Sequence, residues 1–398
     1  MDTQPASPHN PILSAWYAAR AWTPFPFQRM AWDAYAAGAS GLIHAPTGMG
    51  KSYAAWFGPL LEWMKAHPEP QCWATLEPPP LTVLWITPLR ALATDTTASL
   101  AAAARELGLP WTVEKRTGDT SSGAKARQRK AMPSALITTP ESLSLLLSYP
   151  DSAKLFGELQ CVVVDEWHEL LGSKRGIQTE LALARLRRWQ PELRVWGLSA
   201  TLGNLAEALE VLMGGPAATA VDRPAPRLIG GELPKELRVD TLIPEQIERF
   251  PWAGHLGIKL LEPVADAVRQ AKSTLIFTNT RAQTELWFQA LIDAYPEFAG
   301  EIALHHGSLD PGLRAEIEAR LRDGRLRCVV CTSSLDLGVD FSPVDQVIQI
   351  GSPKGVARLM QRAGRSGHQP GAVSRVLCVP THAFELIEFA AARRAIEE

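Results

Sequence analysis

With 398 residues, 46% of them hydrophobic and 21% charged, the chain is long enough for two or three domains, each with its own core. A net charge of −2 excludes a nucleic-acid surface built on global basicity, so any such surface must be a local patch. No apolar run reaches membrane-spanning length, and the polar, proline-rich stretch Met1 to Pro11 lacks a signal-peptide core, which argues against a membrane protein. Four of the five cysteines (Cys72, Cys161, Cys328, Cys331 and Cys378) sit in or beside apolar runs, as reduced buried thiols of a cytoplasmic protein do. Cys328-Val-Val-Cys331 lies within a strand-like run and has no second pair, so it reads as core packing rather than a zinc or redox site.

In chain order, Ile12 to Trp22 is amphipathic and helical in pattern, and Arg29 to Ala37 is a second helix. Between them, behind aromatics and prolines, stands Gln28. Its amide both donates and accepts, as the adenine edge requires; the alternative is a helix-capping glutamine. Gly41-Leu42-Ile43 reads as a strand and Tyr53 to Phe57 as a helix. The stretch between, His44-Ala45-Pro46-Thr47-Gly48-Met49-Gly50-Lys51-Ser52, has the form of a phosphate-binding loop. Gly48 and Gly50 let backbone N–H groups of Thr47, Met49 and their neighbours turn toward phosphate oxygens, and the helix N-terminus adds positive potential. Lys51 is placed for the β and γ phosphates of ATP, and the Ser52 hydroxyl for Mg²⁺. Ala45 stands where the strict pattern has glycine.

Pro68 to Pro80 is a proline-rich loop, and Leu81 to Ile86 is a buried-strand pattern leading to Thr87-Pro88-Leu89-Arg90. Arg90 at that loop suits a phosphodiester, with a plain surface arginine as the alternative. Further strands read at Trp111 to Lys115 and Ala135 to Thr138. After the second, Thr139 opens a helix and offers a phosphate contact. The basic run Lys125 to Lys130 reads as a solvated helix face. Cys161 to Val164 is an apolar strand ending in Asp165-Glu166-Trp167-His168. Acidic residues at the carboxyl end of a parallel strand lie where ligands bind in open α/β sheets. Asp165 suits Mg²⁺ and Glu166 the attacking water. The loop and this pair, about 115 residues apart in this order, point together to an NTPase. After the strand Arg194 to Leu198, the hydroxyls of Ser199 and Thr201 are placed to bond the acidic pair and, with His168, to couple it to the rest of the site; the alternative is a plain hydroxyl turn. The proline-rich Asp222 to Arg227 reads as a linker.

The second half repeats the α/β rhythm without a phosphate loop. Its strand patterns are Leu237 to Leu242, Thr274 to Thr278, Ile302 to Leu304, Leu326 to Cys331, Val347 to Ile350 and Val376 to Val379. Thr278 and Arg281 close one strand, and His305-His306-Gly307-Ser308 follows another as loop contacts rather than metal ligands. Thr332 to Asp340 supplies Ser333 for a nucleic-acid backbone, and Gly338 and Asp340 for the nucleotide, with the Asp340 carboxylate at a ribose. Gln361 joins the nucleotide-facing set. Arg362 and Arg365, three apart, suit cationic fingers offered to a neighbouring domain's nucleotide, or else a salt-bridged helix end. The single-strand path is thus read as Arg90, Thr139, Thr278, Arg281 and Ser333.

Ala45 to Ser52, Thr87 to Leu92, Asp165 to His168, Ser199 to Thr201, Ser333 to Asp340 and Gln361 to His368 resemble, in order, the motifs of superfamily 2 DExH-type helicases. The wording is similar to the Lhr (large helicase-related) group, and Asp165 to Gly172 resembles its DNA-ligase-associated branch. The resemblance implies an α/β chain with two tandem RecA-like domains, each a mostly parallel sheet flanked by helices, and ATP in the cleft between them. It implies movement 3′-to-5′ on single-stranded DNA, a role in DNA repair, and a ligase and a nuclease as partners. The domains expected are 1–222, 223–385 and a helical tail, 386–398, starting an accessory domain. Rival readings are an ATP-gated clamp on a single strand, an RNA or RNA:DNA remodeller, and a small-molecule kinase; a monomer is the expected state.

Overall fold

The computed structural model describes residues 10–46, 48–200, 202–215, 224–231, 237–243, 257–336, 344–366 and 373–397. The chain divides into two compact units, Met1–Glu232 and Leu233–Glu398. Among the described residues, no helix is long and apolar enough to cross a membrane.

In the first unit the short apolar runs become strands: β1 Gly41–His44, β2 Val83–Ile86, β3 Val113–Arg116, β4 Ala135–Thr138, β5 Cys161–Val164, β6 Arg194–Ser199 and β7 Arg227–Gly230. They pair in parallel, in the order β3-β4-β2-β5-β6-β1-β7. Both faces are covered, which is why the central strands are apolar throughout rather than alternating. Successive residues feed opposite cores: Ile43 and Val163 pack with helices Pro26–Ala36 and Lys51–Ala66, whereas Leu42, Val162 and Val164 pack with Pro140–Leu147 and Lys174–Trp189. Because all strands run one way, their carboxyl ends share one edge, where ligands of such sheets bind.

The β7 strand corrects the expected linker. Only Ile229 of its four residues is buried, so it carries no apolar run to read. It nevertheless pairs with β1 from Gly41↔Arg227 to His44↔Gly230. The expected linker Asp222 to Arg227 therefore ends inside the first sheet, and the unit boundary falls at Glu232 rather than at 222. Asp222 and Arg223 lie outside the described residues.

The second unit holds β8 Leu237–Thr241, β9 Thr274–Phe277, β10 Ile302–His305, β11 Cys328–Cys331, β12 Gln346–Ile350 and β13 Ser374–Val379. These also pair in parallel, in the order β10-β11-β9-β12-β13-β8. Cys328 and Cys331 enter the cores on opposite faces, and burial pushes both thiols up. His305 ends β10 itself instead of lying in a loop and is buried. Residues 386–397, expected as a separate tail, belong to a helix, Ala383–Glu397, whose Phe389 and Ala392 enter the second unit's core.

Candidate nucleotide and nucleic-acid site

The turn after β1 uses glycines where the backbone demands them. Gly48 and Gly50 have φ of +83° and +73°, in the left-handed region that side chains disfavour. A Cβ on Gly50 would also come within 2.7 Å of the Gln28 amide nitrogen. Ala45, in place of a glycine, is completely buried. It fits because the opposing chain is Gly231, where a Cβ would stand 2.8 Å from that of Ala45. Lys51 opens the helix and turns its Nζ back on the loop, donating to the carbonyls of Ala45 at 2.7 Å and Pro46 at 3.0 Å. Met49 is buried and Ser52 half-buried on the same turn, and Thr47 lies outside the described residues.

Asp165 follows β5, on the strand edge that also carries the loop after β1. Its carboxylate accepts from Trp85 Nε1 at 3.1 Å and from the Glu166 backbone N–H at 2.9 Å. Burial, and then the neighbouring Glu166 charge, push its carboxyl up to about 7; Lys51 opposes that rise. Glu166 takes a left-handed conformation, φ +47° and ψ +48°, a strain of roughly 1–3 kcal/mol characteristic of functional turns. His168 Nδ1 lies 3.1 Å from Ser199 Oγ and 3.5 Å from Glu166 Oε2. Burial pushes His168 down to about 4, with Glu169 opposing and Lys51 reinforcing. The expected contact of Ser199 with this group is therefore made through His168, and Thr201 lies outside the described residues.

Gln28 is buried and already engaged. Its Nε2 donates to Gly50 O at 2.9 Å, while its Oε1 accepts from Phe25 N at 2.9 Å and Tyr17 Oη at 3.3 Å. It ties the aromatic segment to the phosphate loop, and reading an adenine would require that amide to exchange partners. Two residues that sequence reading passed over belong here. Trp85 orients Asp165 across β2 and β5. His44, at the end of β1, is pushed toward its neutral form by burial, then by Lys51 and His168.

The proposed strand contacts fare unequally. Arg90 is exposed at the start of helix Arg90–Glu106 and pairs with Asp119 at 2.7 Å. Thr139 precedes helix Pro140–Leu147; its hydroxyl, 3.3 Å from Ser142 Oγ, is buried. Thr278 is a correction: it has no exposed surface, and its hydroxyl is spent on Thr284 Oγ1 at 2.7 Å and on Cys331 O. A hydroxyl so enclosed cannot meet a phosphate. Arg281, bonded to Ser308 Oγ, and Ser333 are exposed.

Arg362 is a second correction. It is 2% exposed and points into its own unit. Its Nε and Nη2 donate to both oxygens of Asp336 at 2.8 and 3.1 Å, and its Nη1 donates to Gln349 Oε1. The guanidinium also lies 4.7 Å from the Phe277 ring centre. A cation buried this deeply needs a charged partner, and a bidentate carboxylate supplies one. Arg362 is therefore an anchor of the second unit rather than a finger. Arg365 is held differently, donating from Nη2 to the Asp336 backbone carbonyl at 2.7 Å. Gln361 is buried, its Nε2 without a hydrogen-bond partner among the described residues, while Gly338 and Asp340 lie outside them.

The DEAD/DEAH box helicase domain matches residues 25–208, and the helicase conserved C-terminal domain matches 258–369. ATP-dependent helicase Lhr-Core protein 2 of Thermococcus barophilus is 34% identical over 388 residues, 94% of this chain and 44% of that protein. The chain belongs to the superfamily 2 helicases. Its two units form a helicase core of the Lhr type. The helicase Lhr of Mycobacterium smegmatis, solved with ssDNA and AMP-PNP, matches with a TM-score of 0.77 at 32% identity, over 97% of this chain and 49% of that one. The DUF1998 helicase MrfA, 22% identical, shares the fold with a TM-score of 0.77. The helicase core described here spans less than half the length of the Lhr proteins it matches.

Proposed function

We propose that this core is a nucleic-acid-dependent ATPase that moves on single-stranded DNA. The observation that carries the proposal is the placing, at one carboxyl edge of the first sheet, of the glycine turn after β1 that carries Lys51 and of the Asp165–Glu166 pair after β5. The positive-φ glycines before Lys51 hold a tight turn that L side chains disfavour, the backbone form that turns N–H groups toward a phosphate chain. Lys51 leaves the neutral loop carbonyls for phosphate oxygens, a stronger charge-assisted contact. Ser52 and Asp165 are the residues that would hold Mg²⁺, which supplies positive charge at the phosphates when bound. Glu166 orients and deprotonates the attacking water, with His168 and Ser199 behind it. Arg365 serves the phosphate charge that develops during hydrolysis.

The DNA substrate is favoured by likeness to the Lhr protein solved with ssDNA. The 3′-to-5′ direction, the DNA-repair role and the ligase-associated branch with ligase and nuclease partners follow from the motif resemblance, and a cytoplasmic location from the free, mostly buried cysteines. Backbone contacts dominate such motifs, so RNA is the natural competitor. ATP turnover measured with no polymer, with single-stranded DNA and with single-stranded RNA tests the reading. Stimulation by DNA, abolished by Lys51→Ala, is expected; turnover indifferent to either polymer would overturn it and revive the kinase.

A further inference from the structure

The amino edge of the first sheet, opposite the edge that carries Lys51 and Asp165, opens into a cleft of about 780 Å³. It is lined by Thr82, Gln160 and Leu193, which stand just before the adjacent strands β2, β5 and β6. Its other walls come from the end of helix Lys51–Ala66 and from the proline-rich loop, Leu76 to Pro80. Three lining carboxylates, Glu77, Glu158 and Glu192, are exposed, lie on three separate segments and form no ion pair among the described residues. The lining arginine, Arg194, is already matched: it donates to both Glu62 oxygens at 3.0 and 2.7 Å, and its guanidinium lies 3.9 Å from the Tyr35 ring centre. The cleft therefore holds an excess of negative charge, which repels nucleic acid and attracts cations. Half-buried Trp63, on the same wall, is fixed by His67 stacked at 4.2 Å and by Trp73 edge-on at 5.5 Å. Trp111, which also borders the cleft, is 7% exposed, and its indole N–H has no hydrogen-bond partner among the described residues.

We propose that this cleft docks an extended, arginine- and proline-containing segment of a partner protein. Each feature of the lining has a counterpart in such a segment. The unpaired carboxylates take guanidinium groups, whose planar forks suit them. The fixed Trp63 ring offers its face to a further cation. Trp63 with Pro78, Pro79 and Pro80 makes an aromatic and proline lining of the kind that receives preformed proline-rich chains. The Trp111 N–H finds its acceptor in a carbonyl of the incoming backbone, which a polyamine lacks. Because the carboxylates stand on separate segments, cations carried on one chain meet them together, at a lower entropic cost than the same cations arriving singly. The docked segment leaves the carboxyl edge free, so the proposal goes beyond the helicase reading and stands whether or not that reading holds.

The test is calorimetric titration of the chain with acetyl-Pro-Arg-Pro-Arg-Pro-Arg-amide, with the glutamine analogue of that peptide and with spermine. The arginine peptide should saturate one site at or below about 1 mM, and the glutamine analogue should not bind. Reversing two exposed charges, Glu158→Lys with Glu192→Lys, should weaken the peptide by about tenfold, since two pairs are lost and two repulsions gained. Trp63→Ala should weaken it by about threefold, the worth of an exposed cation–π contact. ATP turnover and Tm of the charge-reversed chain should match wild type. No saturable binding overturns the proposal, as does undiminished affinity in the charge-reversed chain. Spermine binding as tightly as the peptide also overturns it, because the cleft would then be a general cation trap. Should Trp63→Ala not fold, hydrogen exchange of the wild-type chain decides. The peptide should slow exchange at 59–67, 76–82 and 157–160, and slowing confined to other segments overturns the proposal.

Discussion

Both units place charged side chains just beyond the carboxyl ends of a parallel sheet, and they treat those charges in opposite ways. In the first, the contacts described for Lys51 are to neutral carbonyls of its own loop, and those for Asp165 are to an indole and a backbone N–H. In the second, Arg362 is matched by the full charge of Asp336. Arg362 and Asp336 satisfy each other as an ion pair, whereas the Asp165 carboxylate is held by dipoles with the Lys51 charge acting on it from nearby. The first arrangement suits a site that awaits phosphate and metal, and the second suits a joint. Arg365, three residues from Arg362, donates to the Asp336 backbone carbonyl instead of its carboxylate.

The contrast predicts that neighbouring arginines fail differently. Arg365→Ala should lower polymer-stimulated turnover by roughly 10³- to 10⁵-fold, with ATP binding and Tm nearly unchanged. Matching losses of ATP affinity and turnover would place Arg365 with Arg362 and erase the distinction. Glu166→Gln should bind nucleotide, measured by equilibrium titration, and lose roughly 10²- to 10⁴-fold in turnover, the worth of a general base. Arg362→Ala should instead be read in stability: removing one partner strands the buried Asp336 carboxylate, at about 3–5 kcal/mol in denaturant unfolding of the second unit.

A subtler effect is in the pH dependence of the first unit. Asp165 has its carboxyl raised from 3.8 to about 7 on folding, so its contribution to stability is full below pH 3.8 and lost as pH rises through 7. His168 is lowered from 6.5 to about 4, so its contribution is full above pH 6.5 and lost as pH falls through 4. The two trends oppose each other between pH 4 and 6.5. Asp165→Asn should remove the first alone. Its Tm relative to wild type, without nucleotide, should climb from pH 4 to 7; a flat difference would refute the burial of that charge. The smallest stability effect belongs to Arg90→Ala, whose exposed pair with Asp119 is worth less than about 1 kcal/mol. Strand affinity should nonetheless weaken, with the salt slope reduced by about one phosphate contact.

What the sequence determined by itself was everything carried by short-range pattern. Continuous apolar runs such as Cys161–Val164 cannot avoid being central parallel strands once both faces are covered, and Gly48 and Gly50 mark a turn that few other residues tolerate. The residues that follow those strand ends, Lys51 and the Asp165–Glu166 pair among them, were therefore legible with their chemistry. Only the tertiary structure decided how charges and hydroxyls were satisfied. Arg362 meets Asp336 across 26 positions and Asp165 meets Trp85 across 80, while Ala45 is tolerated because distant Gly231 leaves it room. Thr278 looked like a strand-end hydroxyl until Thr284 and Cys331 enclosed it, and β7, with one buried residue, owes its existence to pairing with β1. Such partners are set by strand order and helix packing, long-range properties that no local window contains. A motif therefore places a charge at an edge, and the surrounding fold decides whether that charge waits for a ligand or is already paired.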